Sequence, residues 1–330
     1  MTKMSYFDAG RLALEEEMRR DATVWAVGED LGRGGVFGQY RGLAEMFGSD
    51  RISDAPISEA AILGVAVGAA MMGTRPVADM RYSDFALCAM DELVNQAAKA
   101  RFMFGGQARV PLVVRGPLGI AGSAGPQHSQ SLEAWYAHVP GLVVVCPATP
   151  ADNKGLLKSA IRCDDPVVFM EHKGLWNFDG EVPDDAHYTV SLGRARKVSE
   201  GKDLTIVSWS KQVHVAAAAT QSLARDGISV DLIDLRTLWP WDKVMVFDSV
   251  NRTKCLIVAH EAVAVGGFGG EIVATVAEKF GGGVTVRRLG APRAPVGFAP
   301  SVQDAVRVTE DAIGAAAREM VVRKPEKDGA

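Results

Sequence analysis

The sequence predicts an α/β protein of two domains, each a mainly parallel sheet flanked by helices. Three observations carry that expectation. Apolar runs of strand length alternate with helical patterns along nearly the whole chain, the pattern of parallel strands joined by covering helices. The length, 330 residues, amounts to two domains at ~150 residues each. A polar, turn-rich stretch, NFDGEVPDDAHYTVSLGRARKVSEGKD, interrupts the alternation, which then restarts. The boundary is placed near residues 185 to 200, giving a first domain over 1–190 and a second over 191–330.

The chain opens with a helix whose apolar residues Leu12, Leu14 and Met18 recur between charges, a surface helix. Strands are then expected at Thr23 to Val27, Arg75 to Met80, Val110 to Arg115, Leu142 to Cys146 and Val167 to Glu171. Between them fit helices at Leu43 to Phe47, Glu59 to Met72, Phe85 to Arg101, Ser131 to His138 and Pro150 to Cys163. In the second half, strands are expected at Leu204 to Ser210, Ile228 to Leu235, Cys255 to Glu261 and Val284 to Gly290. Helices at Val213 to Arg225, Gly270 to Phe280 and Val302 to Met320 lie beside them, and the tail RKPEKDGA is expected to fray.

Composition removes several function classes. The net charge of −4 and pI near 5.9 provide no basic field for a nucleic-acid backbone. The most apolar run, Ala60 to Gly73, is shorter than the ~20 residues a bilayer span needs. No membrane role is expected. Cys88, Cys146, Cys163 and Cys255 are scattered, without a C-x-x-C pair or zinc-like spacing, as in a reduced cytoplasmic protein. G-x-S-x-G, P-loop and HExxH motifs are absent. Glycine, 35 of 330 residues, is about 11% against a typical ~7%, which points to tight turns and close backbone approaches.

Three segments could carry chemistry. Glu59 opens an apolar helix, either as first-turn helix chemistry with Ser58 as N-cap or as a functional carboxylate. Ala60, Gly64, Gly68 and Ala69 leave one face of that helix nearly free of side chains, for intrachain packing or for a close subunit contact. His128, within Gln127-His128-Ser129-Gln130, follows the Gly-rich loop Gly116 to Pro126, as an active-site residue or a hydrogen-bonded structural one. VGGFGG (Val265 to Gly270) resembles a dinucleotide turn only loosely, because the strand ends early and Arg287 and Arg288 stand where a ribose-binding acid would.

Taken together in order, GEDLGRGGVFG (Gly28 to Gly38), RISDAPISEAAILGVAVGAAMMGTRPVADM (Arg51 to Met80), DFALCAMDELVNQAAKARFMFGGQ (Asp84 to Gln107), QHSQSLEAWYAHVPGLVVVCPATPADNKGLL (Gln127 to Leu157) and SAIRCDDPVVF (Ser159 to Phe169) resemble the beta subunits of thiamine-diphosphate-dependent 2-oxo acid dehydrogenases. Acetoin dehydrogenase beta subunits share the pattern. DLIDLRTLWPWD (Asp231 to Asp242) and HEAVAVGGFGGEI (His260 to Ile272) are similar to the family's transketolase-type C-terminal domain.

The resemblance implies a pyrimidine-binding domain followed by a transketolase-type C-terminal domain. It implies an alpha partner in a two-alpha two-beta heterotetramer, which would hold the cofactor's diphosphate and its magnesium. The family's GDG metal motif is absent from this chain. Glu59 matches the glutamate that hydrogen-bonds the aminopyrimidine ring nitrogen and favours the imino tautomer, a role that calls for a desolvated carboxylate. Phe85 matches the aromatic packed on the pyrimidine, Ile57 lines the same pocket, and Glu29 matches a position in an acidic network linking two active sites. His128 matches a histidine facing the thiazolium, where it would bind the substrate carbonyl or handle protons during transfer to lipoyl.

Family members often bind potassium near positions corresponding to Leu112, Ala160, Ile161, Cys163 and Asp165. Here Cys163 and Asp165 stand where aspartate and asparagine are usual, and a thiol is a poor potassium ligand. The implied reaction is carbon–carbon cleavage beside a carbonyl, with acyl transfer to a lipoyl group on an acyltransferase. Pyruvate and acetoin lead as substrates and a branched 2-oxo acid follows. A nucleotide-binding oxidoreductase using VGGFGG, and a non-catalytic assembly subunit, stand as alternatives.

Overall fold

A computed structural model describes residues 1–322. The chain forms two compact units, Met1–Leu192 with Thr237–Pro240, and Gly193–Arg236 with Trp241 onward. In the first unit the elements run β1 (Thr2–Ser5), α1 (Tyr6–Arg20), β2 (Val24–Gly28), α2 (Leu43–Phe47), β3 (Ile52–Asp54), α3 (Glu59–Met71) and β4 (Arg75–Asp79). They continue with α4 (Ala98–Met103), β5 (Val113–Leu118), α5 (Glu133–Ala137), β6 (Val143–Val145), α6 (Pro150–Arg162), β7 (Val167–His172) and β8 (Asp179–Val182). The second unit holds β9 (Arg196–Ser199), β10 (Leu204–Ser208), α7 (Gln212–Arg225) and β11 (Val230–Asp234). After β12 (Thr237–Trp239), which belongs to the first unit, come α8 (Lys243–Thr253), β13 (Cys255–Val263), α9 (Gly269–Phe280), β14 (Thr285–Ala291), α10 (Pro300–Val306) and α11 (Glu310–Val322).

The first unit is built on a seven-stranded sheet, order β12-β6-β7-β5-β4-β2-β3, parallel except for β12, which pairs antiparallel with β6. That pairing is why residues 237–240 return to the first unit, a crossing the linear boundary does not anticipate. The second unit carries a five-stranded sheet, order β14-β13-β10-β11-β9, with only β9 antiparallel. Strands buried on both faces read as continuous apolar runs, as in VVFM of β7 and CLIV of β13. No helix among the described residues is long and apolar enough to cross a membrane.

Several expected elements differ in instructive ways. β5 starts at Val113, three residues later than expected, because Pro111 has no N–H for the ladder; Gly116 to Leu118 then continue alongside β7. The helix expected over Phe85 to Arg101 is a 3₁₀ turn (Phe85–Ala89), a π-helical stretch (Asp91–Ala97) and then α4. The helix expected over Val302 to Met320 breaks in two: Arg307 is extended, and Thr309 accepts the backbone N–H of Ala312 to start α11. The first helix is not merely superficial. Ala13, Leu14 and Met18 are buried, Leu12 is only half-buried, and buried Glu17 bonds Arg162 of α6. The polar stretch between the halves contains β8, paired with β1, and β9.

Candidate active site

Parallel α/β sheets place ligands beyond the carboxyl ends of their strands. Glu29 follows β2, Ile57 and Glu59 follow β3, Phe85 follows β4, and His128 lies on the loop after β5, so the resemblance-based residues gather at that one edge. Gly28 lets β2 approach β4: a Cβ there would lie 2.9 Å from the Asp79 carbonyl oxygen.

His128 sits in an aromatic cluster. Its ring meets Tyr82 edge-on at 4.8 Å and Phe85 at 5.1 Å, while Tyr82 and Phe85 meet at 5.5 Å. Phe37 extends the cluster from Tyr82 to Trp176. The segment is held from beneath: the Lys173 ammonium donates to the His128 carbonyl and lies over the Tyr82 ring. Asp84 Oδ1 accepts from the Gln130 backbone N–H at 3.2 Å and from its Nε2 at 2.9 Å. Burial pushes the Asp84 carboxyl up, opposed by the Gln130 hydrogen bonds and the Lys173 charge. Asp84 Oδ2 and Ser129 Oγ are buried without a hydrogen-bond partner among the described residues. Tyr82, Asp84 and Lys173 lie outside the residues the motifs mark; the local signals for them are the polar run Arg81-Tyr82-Ser83-Asp84 after β4 and a lysine just past β7.

Glu29 is buried and pairs with Arg81 at 2.8 Å, fixing it beside the residue that leads into Tyr82. Arg81 itself has φ +57°, a left-handed conformation rare outside glycine and turn residues. Glu59 and the imidazole of His128 have no hydrogen-bond partner among the described residues. Ser58 stands at the N-cap position of α3 but its side chain makes no capping bond, whereas Glu59 lies in the first turn, where the helix dipole favours a carboxylate. α3 packs on the 3₁₀ turn that carries Phe85.

Ile57 is 76% exposed. On the small-residue face of α3, Ala60, Gly64 and Gly68 are exposed and Ala69 is half-buried, while Ile62, Leu63, Ala66, Val67 and Ala70 are buried.

The glycines of VGGFGG have a packing explanation. The buried His260 ring stacks on Trp209 at 5.1 Å, and its Nδ1 bonds the Ala262 carbonyl. A Cβ at Gly267 or Gly269 would come within 2.7 Å of that ring. Both glycines make room for an imidazole, and a phosphate is not needed to account for them.

The remaining predicted positions, Leu112, Ala160, Ile161, Cys163 and Asp165, lie at the opposite edge, around the end of α6 and the start of β7. Among the described residues no group of three or more His, Cys, Asp or Glu is disposed to hold a metal ion.

Comparison with known proteins agrees with this architecture. Residues 2–177 match the transketolase pyrimidine-binding domain and residues 193–313 the transketolase C-terminal domain. The chain is 41% identical over 325 residues to the 2-oxoisovalerate dehydrogenase beta subunit of Bacillus subtilis, covering 97% of this chain and 99% of that protein. It is 42% identical to the beta subunit of acetoin:2,6-dichlorophenolindophenol oxidoreductase of Cupriavidus necator, covering 93% and 94%. To the pyruvate dehydrogenase E1 beta subunit of Dictyostelium discoideum it is 40% identical, covering 94% and 89%. Among solved structures, a split-gene transketolase in an inactive beta4 tetramer shares the fold, with a TM-score of 0.79 at 21% identity, over 98% of this chain and all of that one. The chain belongs to the thiamine-diphosphate-dependent, transketolase-like family of 2-oxo acid and acetoin dehydrogenase beta subunits.

Proposed function

We propose that this chain is the pyrimidine-binding half of a thiamine-diphosphate-dependent dehydrogenase that cleaves the bond beside a carbonyl in pyruvate, a branched-chain 2-oxo acid or acetoin. An alpha subunit completes it in a two-alpha two-beta assembly, holding the diphosphate and magnesium, and the acyl group passes to a lipoyl acyltransferase. The observation that carries this reading is a pair of groups without hydrogen-bond partners among the described residues, Glu59 and the His128 imidazole, at the carboxyl edge of one sheet, with His128 against Phe85 and the helix of Glu59 packed on the turn that carries Phe85. An aromatic ring, a free carboxylate on an apolar helix and a free imidazole fit a flat heteroaromatic group with one ring nitrogen to hydrogen-bond.

When bound, the cofactor supplies a thiazolium carbon able to stabilise the charge left by carbon–carbon cleavage. In this chain Glu59 shares a proton with the pyrimidine nitrogen, Phe85 fixes the ring plane, and His128 donates to or accepts from the substrate oxygen. Glu29, locked by Arg81, holds the loop after β2. The open small-residue face of α3 and exposed Ile57 support a subunit contact that closes the site around Glu59. The four cysteines, all free, suit a cytoplasmic protein.

Co-expression with the alpha chain, followed by dye-reduction assays with magnesium, thiamine diphosphate and a panel of pyruvate, 2-oxoisovalerate and acetoin, tests the reading. Turnover of one panel member by the pair, and by neither chain alone, is expected; no turnover by a correctly assembled pair contradicts it.

A further inference from the structure

The turn at the end of α6 carries a cluster of charge that the active site does not use. Arg75 opens β4, its backbone N–H bonded to the Thr23 carbonyl at 2.9 Å. From that fixed start its guanidinium reaches the end of α6, where helix carbonyls lack intrahelical partners and the helix dipole favours a cation. Nη1 donates to the carbonyls of Ile161 and Cys163, each at 3.0 Å, and Nη2 to Asp164 Oδ1 at 2.7 Å. Asp164 Oδ2 accepts from Arg109 at 2.8 Å, and Arg101 Nε pairs with Asp165 at 2.6 Å. The other two positions are engaged as well: the Leu112 carbonyl takes the Val167 N–H at 2.8 Å and the Ala160 carbonyl takes the Cys163 N–H at 3.2 Å.

The positions that the family resemblance assigns to potassium thus already bond protein donors. An alkali cation needs several oxygens aimed at one point, and a second positive charge beside a guanidinium bonded to the same oxygens is repelled. The Cys163 thiol adds no suitable ligand. We infer that the Arg75 guanidinium is the resident cation of this turn, tying the start of β4 to the end of α6, and that the chain holds it in place of a potassium ion.

Thermal unfolding of the full chain in potassium, sodium and choline chlorides at equal ionic strength tests this directly. A bound ion would raise the midpoint with its own concentration by mass action, so the expected result is midpoints that agree within about 1 °C. A rise specific to potassium in the wild-type chain overturns the inference. In parallel, Arg75→Met should lower the midpoint in all three salts and Arg75→Lys should recover part of the loss; an Arg75→Met chain as stable as wild type also overturns it. Should Arg75→Met fail to fold, the wild-type comparison alone decides.

Discussion

Burial sets the protonation of His260 and makes the second unit sensitive to mild acid. Desolvation holds the imidazole down to about 4, assisted by the Arg288 charge and opposed by the Ala262 hydrogen bond. The unfolded chain titrates near 6.5. Unfolded His260 therefore binds a proton that the folded form refuses, and its contribution is fully present above pH 6.5 and lost as the pH falls towards 4. Between pH 7.5 and pH 5 the two titration curves differ by about 2 kcal/mol of stability. Urea unfolding of wild type and His260→Gln at pH 7.5, 6 and 5 measures it. The wild-type midpoint should fall more steeply than that of the variant, by an amount equivalent to about 2 kcal/mol. Equal pH slopes in the two proteins, or an NMR titration of His260 centred near 6.5, would refute the reasoning.

Other outcomes follow from the first unit. Arg115 and Glu171 form a buried bidentate pair between β5 and β7, at 2.5 and 3.0 Å, with Asn153 on the same carboxylate. Removing one partner strands the other charge, so Glu171→Ala should lower unfolding stability by about 3–5 kcal/mol in chemical denaturation. Lys173→Met removes the ammonium under the His128 carbonyl. In the assembled enzyme it should lower kcat about tenfold, as expected for losing a hydrogen bond to a charged group, with a smaller change in KM.

Sequence pattern reached furthest where burial is continuous. β7, β13 and α6 lie within a residue or two of their expected limits, because apolar runs and a Thr149 cap followed by Pro150 are local signals. β1, β8 and β12 were not legible, since three- and four-residue strands owe their existence to partners distant in sequence. α8 was missed although Asp242 caps it by accepting the Met245 N–H, a signal obscured by the WPWD turn before it. At the site, the motifs marked Glu59, Phe85 and His128, and folding brings the last two into contact. The supports Tyr82, Asp84 and Lys173 were hidden because their meaning lies in contacts across β4, β5 and β7. VGGFGG was ambiguous for the same reason: what fills the space its glycines leave is a histidine upstream in the chain.

The central claim is that Glu59 carries the proton chemistry of a cofactor shared with an alpha chain. The most direct measurement compares wild type and Glu59→Ala, each assembled with the alpha subunit and saturated with magnesium and thiamine diphosphate, for turnover of the best substrate. The account predicts normal assembly and loss of nearly all turnover in the variant. A correctly assembled Glu59→Ala enzyme with wild-type turnover would contradict it.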